Sequence, residues 1–342
     1  MKLLDTTLRD GSYAINFSFS LSDVRQVCAA LEECGIEYIE IGHGEGLNAD
    51  PPALHSDEEY LDAAKQSVKS AKIGMFCIPE KARLQDIEMA AGMDMDFIRV
   101  GTSVTEVESS KDYIKTAKKH GMYVTANYMK SYASTPKEFA DKVKLSESYG
   151  ADCVYIVDSA GGMFPSQIVE YADAIKNCSS VALGFHGHHN LGLAVSNTLK
   201  AAELGFDFLD CSLQGLGRSS GNAPTELLVS ALLKLGYCIN VDLLKIIQCG
   251  YEFIQPFVEN KGYIPIDTIS GFADFHTSYM QRIHKYAMKY AVNPLELIIE
   301  VCRIDKLTAP DELVEDVAKR LEPVDPKSYR YAFHRYFGKE QG

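Results

Sequence analysis

The sequence predicts a (β/α)8 TIM barrel with a C-terminal helical extension, and three observations predict it. Short β-like runs recur eight times in the first 215 residues, each parted from the next by an amphipathic stretch long enough for a helix. The repeat of about 25 to 35 residues suits a closed barrel better than an open doubly wound sheet, which rarely needs eight strands. No G-x-G-x-x-G follows a strand and no Walker loop occurs, so a nucleotide-binding fold lacks its main support.

The strand runs are Lys2–Leu4, Tyr38–Ile41, Ile73–Ile78, Phe97–Val100, Tyr123–Ala126, Cys153–Val157, Ala182–Phe185 and Phe208–Cys211. Between the first two lies Ser22–Cys34, where Val24, Val27, Ala30 and Leu31 fall at helical spacing and Gly35 ends the run. Asp112–Lys119 before Gly121, Pro136–Ser148 before Gly150, and Ser166–Lys176 read the same way, and Thr225–Leu235 reads as the eighth barrel helix. Past that point strand signals cease. Leu243–Phe257, Phe275–Tyr290, Pro294–Val301 and Pro310–Leu321 read as helices. The expected division is therefore a catalytic barrel over 1–235, a helical extension over 236–322 that completes the active site or forms a partner interface, and a tail over 323–342 rich in Tyr, Arg and Lys.

Composition narrows the function. Hydrophobic residues at 46% and charged residues at 24% are those of a soluble globular chain, and the net charge of −13 argues against nucleic acid or an anionic membrane as the main partner. Nine cysteines, odd in number and never in a C-x-x-C pair, point to buried thiols in a reducing compartment. No charged-then-apolar leader opens the chain and no apolar run approaches a membrane span, so a cytoplasmic protein is expected.

In a barrel, function sits at the carboxyl ends of the strands, and polar groups gather there in nearly every unit. Strand 1 runs into Thr6-Thr7-Leu8-Arg9-Asp10-Gly11-Ser12-Tyr13, and strand 2 into Gly42-His43-Gly44-Glu45. Strand 5 ends in Asn127-Tyr128-Met129-Lys130 and strand 6 in Asp158-Ser159. Strand 7 delivers Phe185-His186-Gly187-His188-His189-Asn190, and strand 8 leads to a Gly-rich loop holding Arg218 and Asn222. In an extended backbone His186 and His188 project to one side, where two imidazoles either hydrogen-bond locally or hold a divalent metal with a carboxylate. Asp10 is the natural carboxylate, with Asn222 able to add a neutral oxygen. Arg9 beside it brings a permanent cation, and metal plus arginine is what a developing enolate needs. The ligand set suits Mn²⁺, Mg²⁺, Co²⁺ or Zn²⁺ and does not by itself choose among them; Mn²⁺ is the expectation carried forward. His43, Glu45, Asp158 and Asp210 are read as groups that orient the metal-binding imidazoles, or as ordinary strand-end polar residues.

Thr7-Leu8-Arg9-Asp10-Gly11, His186 to Ala194 and Gly217–Pro224 together resemble the DRE-type TIM-barrel metallolyases, the HMGL-like family. The likeness is closest to its 4-hydroxy-2-oxovalerate aldolase branch and extends through Glu40–Leu47, Tyr155–Gly162 and Gly221–Glu226. The resemblance implies divalent-metal cleavage, or formation, of a 4-hydroxy-2-oxo acid, giving pyruvate and an aldehyde through a metal-stabilised enolate. It implies Asp10, His186 and His188 as metal ligands with Asn222 at or near them, Arg9 on the enolate, and Ser159 on the carboxylate. An acylating aldehyde dehydrogenase partner and a homo-oligomer are further expectations of the family.

Two departures from the family pattern bear on mechanism. The aldolase branch carries a histidine three residues after the motif aspartate, as base for the 4-hydroxyl, and this chain has Tyr13, a poor base at an ordinary pKa of about 10. His276, in Gly271–His276, aligns with a tyrosine that faces that histidine, so the expectation is a swapped, hydrogen-bonded pair with His276 as base. Arg218 and Lys130 stand where small or apolar residues are usual, so they either suit a more polar or anionic aldehyde or are solvated cations at the rim. Lys130 also admits a Schiff-base aldolase. The alternatives kept beside the aldolase are a Claisen-type acyl-CoA condensing enzyme and a lapsed barrel that serves as a partner-binding subunit.

Overall fold

The computed structural model describes residues 1–50, 52–258 and 265–324. Eight parallel strands close into a barrel in sequence order, β1 (Lys2–Asp5), β2 (Tyr38–Ile41), β3 (Lys72–Cys77), β4 (Phe97–Ser103), β5 (Tyr123–Met129), β6 (Cys153–Asp158), β7 (Ala182–Gly187) and β8 (Phe208–Cys211). Closure is made by β1 against β8, with Leu3 opposite Leu209 and Asp5 opposite Cys211. The connecting helices are α1 (Leu21–Glu33), α2 (Asp57–Ser67), α3 (Leu84–Gly92), α4 (Lys111–Lys119), α5 (Pro136–Tyr149), α6 (Pro165–Lys176), α7 (Ala194–Glu203) and α8 (Thr225–Lys234). Their starts are written locally: Ser20 and Asp23, Ser56 and Glu59, and Thr135 and Glu138 form reciprocal capping boxes at α1, α2 and α5. Among the described residues no helix is long and apolar enough to cross a membrane.

Apolar outward faces of the strands meet the helices in one large core that includes Ile39, Ile73, Ile98, Val124, Val154 and Leu209. The inward faces build a second, narrower core. Tyr38, Phe97 and Phe208 form its floor, with ring centroids of Tyr38 and Phe208 5.1 Å apart, edge to face. Above that floor the filling changes character. Glu40, Arg99 and Asp210, all essentially without exposure, occupy the inward positions where branched aliphatic residues usually pack.

Beyond the barrel come α9 (Leu243–Cys249), α10 (Pro265–Ala273), α11 (Met280–Tyr290), α12 (Pro294–Cys302) and α13 (Asp311–Ala318). The single helix expected over 243–257 is instead α9, a π turn over Gly250–Ile254 and a 3-10 turn over Gln255–Phe257, because Pro256 cannot continue an α-helix. Ile246, Cys249 and Ile254, which follow the expected barrel segment, bury in the barrel's outer core. The extension's own core, with Phe275, Ile283, Leu297, Ile298, Val301 and Val314, starts with α10. The helix expected from Phe275 starts at Met280, because His276 caps a separate 3-10 turn over Thr277–Tyr279. The tail expectation from residue 325 onward lies outside the described residues.

Candidate active site

Side chains from β1, β7 and the β8 loop converge at the carboxyl end of the barrel. His186 ends the inward row of β7 and His188 follows it by one strand repeat, so both rings enter the same space, with centroids 5.0 Å apart and planes nearly perpendicular. Asp10 stands in the turn after β1. Ligand atoms of Asp10, His186 and His188 all lie within 4.8 Å of one another, and all three residues are buried. His186 Nδ1 hydrogen-bonds Asp210 Oδ2 at 2.8 Å, and His188 Nδ1 lies 3.3 Å from the Gly221 carbonyl, so the Nε2 atoms are the nitrogens left for a ligand.

The Asp10 carboxylate is held from three directions. Arg9 Nη1 donates to Oδ1 at 2.7 Å, while Asn222 Nδ2 and the Arg218 backbone N–H donate to Oδ2 at 2.9 and 3.1 Å. Burial pushes its pKa up, but Arg9 and the two imidazoles outweigh that and keep the carboxyl well below its usual range. Burial lowers the pKa of His188 to about 4, so its ring is neutral at pH 7, the form that binds metal. The loop can come this close only because residue 217 is glycine: a Cβ there would sit 2.5 Å from Asn222 Nδ2 and 2.9 Å from Asp10 Oδ2.

Beneath the cluster runs a continuous buried ion-pair chain. Arg9 Nε donates to Glu40 Oε2 at 2.9 Å, Arg99 Nη1 donates to the same oxygen at 3.0 Å, and Arg99 Nη2 donates to Asp210 Oδ2 at 2.5 Å. The Arg9 guanidinium also lies 4.7 Å from the Phe76 ring centroid. Phe76 in turn fits because Gly101 leaves room, since a Cβ there would meet the ring at 2.1 Å. Among the described residues Arg9 Nη2 has no hydrogen-bond partner, so its donors are available to a ligand.

These residues fit a divalent cation. Asp10, Glu40 and Asp210 oppose Arg9 and Arg99, which leaves the chain one negative charge in excess when the imidazoles are neutral ligands. Asn222 Oδ1 is buried beside them without a hydrogen-bond partner, an unused acceptor at the edge of the cluster.

Above the cluster opens a cavity of about 260 Å³, lined by Arg9, Asp10, Tyr13, Lys130, Ser159, His186, His188, Arg218 and His276 among others. Tyr13 and His276 both reach it, but no hydrogen bond joins them, and the expected pair is not formed. The Arg218 guanidinium lies over the Tyr13 ring at 4.9 Å and donates through Nε to Thr277 Oγ1 at 2.8 Å. Burial raises the Tyr13 hydroxyl further above its ordinary pKa, so it is no base. Burial, with Arg218 and Lys130 nearby, holds His276 well below the usual imidazole range. Its Nδ1 accepts from the Ser278 N–H at 3.3 Å and contacts Ser278 Oγ at 2.6 Å. Both contacts are satisfied when Nδ1 is the acceptor, which puts the proton of the neutral ring on Nε2.

Lys130 is already engaged. Its Nζ hydrogen-bonds the Tyr279 hydroxyl and the Leu307 carbonyl, and so ties β5 to the extension. Burial brings its pKa down to about 8. Ser159 Oγ accepts from the Lys130 N–H at 2.9 Å, which leaves its hydroxyl proton free to donate. Of the groups expected to orient the imidazoles, Asp210 does so, through His186 Nδ1. His43 Nδ1 accepts from the Glu45 N–H and its ring stacks on Phe17, Glu45 pairs with Lys81, and the Asp158 carboxylate accepts from Gly162 and Met163 N–H. The reason is register: His43 and Glu45 lie past the end of β2, and the Asp158 carboxylate turns to cap its own loop. Glu40 and Arg99 have no site role in the sequence reading. Their signal was a charged residue at an inward position of an otherwise apolar strand, which is almost never fully buried unless paired.

Residues 1–251 match the HMGL-like family model. A relative from Carboxydothermus hydrogenoformans named 4-hydroxy-2-oxovalerate aldolase is 37% identical over 326 residues, covering 94% of this chain and 97% of that protein. A Mycobacterium tuberculosis protein named oxaloacetate decarboxylase is 35% identical over 305 residues, 88% of this chain and 90% of that protein. Among solved structures, HMG-CoA lyase from Brucella melitensis shares the fold with a TM-score of 0.66 at 21% identity, over 76% of this chain and 99% of that one.

Proposed function

The chain belongs to the HMGL-like family, and from that premise we propose that it is a divalent-metal-dependent pyruvate aldolase. Its reaction is the cleavage, or formation, of a 4-hydroxy-2-oxo acid from pyruvate and an aldehyde. The observation that carries this reading is the buried Asp10–His186–His188 cluster with the Arg9 guanidinium fixed against it. Asp10, His186 and His188 would hold the cation, with Asn222 Oδ1 beside them. Bound there, a divalent ion would supply Lewis-acid stabilisation of charge developing on the 2-oxo oxygen.

The protein's own groups do the rest. Arg9 presents Nη2 toward that same developing charge, in a place where water is largely excluded and a donor counts most. Ser159 donates to the substrate carboxylate. The excess negative charge of the buried chain suits a dication, and a dication then suits a monoanionic 2-oxo acid. Arg218, Lys130 and His276 border the aldehyde side and favour a polar tail there.

The test is pyruvate release from a panel of 4-hydroxy-2-oxo acids with methyl, hydroxylated and phosphorylated tails, with Mn²⁺ added and then removed by EDTA. Metal-dependent pyruvate formation from any of them supports the reading, and none from all of them, with metal bound, refutes it.

One observation favours a second reading, the decarboxylation of oxaloacetate. The enolate-stabilising groups are assembled, whereas the Tyr13 hydroxyl is too weak a base for the 4-hydroxyl proton and the Nδ1 lone pair of His276 is engaged by Ser278. Loss of CO₂ from a 2-oxo diacid breaks a C–C bond to the same enolate without that base. Oxaloacetate in the same assay separates the two, because faster turnover of oxaloacetate than of every 4-hydroxy acid would put decarboxylation first.

A further inference from the structure

We propose that Arg99 is a positioning residue that sets, through two carboxylates, both the catalytic guanidinium of Arg9 and the metal-facing ring of His186. The inference rests on the metal-centre reading above.

Arg99 sits midway along β4 with no solvent exposure, in the layer of the barrel interior directly below the cluster. Its two terminal nitrogens bind different carboxylates, Nη1 to Glu40 Oε2 and Nη2 to Asp210 Oδ2. Those oxygens are the same ones that hold the site: Glu40 Oε2 also accepts from Arg9 Nε, and Asp210 Oδ2 also bonds His186 Nδ1. The other oxygens, Glu40 Oε1 and Asp210 Oδ1, are buried and accept no hydrogen bond of ordinary length among the described residues. On each carboxylate the oxygen that meets the site group is therefore the one that Arg99 binds, and one rigid fork locates both.

Arg99 is itself fixed. Its guanidinium lies 4.5 Å from the Tyr155 ring centroid, and the Asn127 amide, turned so that its oxygen faces inward, accepts from Nη2 and Nε at 2.8 and 3.2 Å. Without Arg99, Glu40 and Asp210 would be two buried carboxylates with one guanidinium between them, and each would draw on the groups of the site for compensation. A lysine keeps the charge but not the plane, and one ammonium cannot reproduce two fixed donor directions.

The experiment uses the full chain and its Arg99→Lys variant, with Mn²⁺ affinity by calorimetry, steady-state pyruvate release and Tm. The expected result is Mn²⁺ binding weakened 10- to 100-fold, in line with loss of groups behind a metal ligand. The kcat should drop about 100-fold while KM stays within threefold, a split expected when transition-state contacts alone are lost. A purely structural role would lower Tm and leave the folded protein's Mn²⁺ affinity and kcat unchanged, and that outcome overturns the proposal. If Arg99→Lys does not fold, Asn127→Leu keeps Arg99 and removes the acceptor behind its guanidinium, together with the amide's bond to Thr125. It should weaken Mn²⁺ binding by about threefold or more, and unchanged affinity there equally refutes the role. Absence of Mn²⁺ binding by the parent chain would overturn the metal-centre reading and this inference with it, whereas tight parent binding that both variants retain overturns only the role of Arg99.

Discussion

Replacing Arg9 by lysine separates charge from geometry at the point where the two are most closely joined. The native guanidinium spends Nε on Glu40 and Nη1 on Asp10, at 2.9 and 2.7 Å, and on the proposed reading Nη2 serves the substrate. An ammonium at residue 9 retains the positive charge but satisfies at most one carboxylate if it also faces the cavity. Loss of a preformed donor to a developing oxyanion costs about 100- to 1000-fold in kcat, about 2.7–4 kcal/mol. The buried carboxylate left with one partner fewer adds to the cost in stability, on the order of 1–3 kcal/mol. Because the donor acts mainly on charge that appears during C–C cleavage, the loss belongs in kcat more than in KM. The assay is coupled pyruvate detection at saturating Mn²⁺, with metal content measured on the same preparation. Arg9→Lys should show at least a 100-fold lower kcat, KM within about fivefold, and a full metal complement. A kcat within fivefold of the parent would refute a role for Arg9 on the enolate. Loss of metal together with activity would show instead that Arg9 serves chiefly to hold Asp10.

Other consequences are as direct. Asp10→Asn should abolish tight Mn²⁺ binding, because it removes the anionic ligand and part of the negative excess, and calorimetry reads this without any turnover. If metal binds at 100 times its Kd, EDTA should lower stability by about 2.7 kcal/mol, visible as a fall in Tm that Asp10→Asn does not show. Lys130→Met should retain metal-dependent turnover within about tenfold, and borohydride with pyruvate should trap no adduct on the parent chain, because Nζ is spent on Tyr279 and Leu307. The same variant should be cut faster by protease near the start of the extension, with a stability loss of about 1–2 kcal/mol. Asp5 is fully buried and its pKa is raised to about 7 by burial, so the folded state keeps a proton that the unfolded chain sheds near pH 4. Its stabilising contribution is therefore complete below pH 4 and lost as pH rises through 7. The Tm should climb as pH falls from 8 to 5, and Asp5→Asn should flatten that slope.

The barrel was legible because each of its strands is a compact apolar run bounded by glycine or polar turns, a signal that needs no long-range information. All eight runs occur as strands, with β4 and β5 extending three residues past the reading, to Ser103 and Met129. The spacing of His186 and His188 likewise places two rings together through strand geometry alone. What the chain did not disclose locally are contacts between distant segments. Lys130 meets Tyr279 across 149 residues, and a cation at a strand end looks the same in sequence whether it awaits a substrate or seats a helix. His276 is a similar case. Its alignment says which residue stands there, while its protonation pattern is set by the backbone N–H of Ser278, which only the folded turn brings to Nδ1.

Glu40 and Arg99 are the more instructive omission, because their signal lay within the strands. In Tyr38-Ile39-Glu40-Ile41 and Phe97-Ile98-Arg99-Val100 the charge falls on the inward side of a strand whose other face is wholly aliphatic. A closed barrel has no water to receive such a group, so each charge requires an opposite one from another strand. With Asp210 inward on β8, the three residues could pair only with one another and with whatever lies just above them. A barrel interior that bears the desolvation of three ions must have them tied to something at its carboxyl end, and here that something is Arg9 on one side and His186 on the other. The buried charges thus point to the same site as the metal-ligand spacing, by an argument that uses neither the spacing nor any relative.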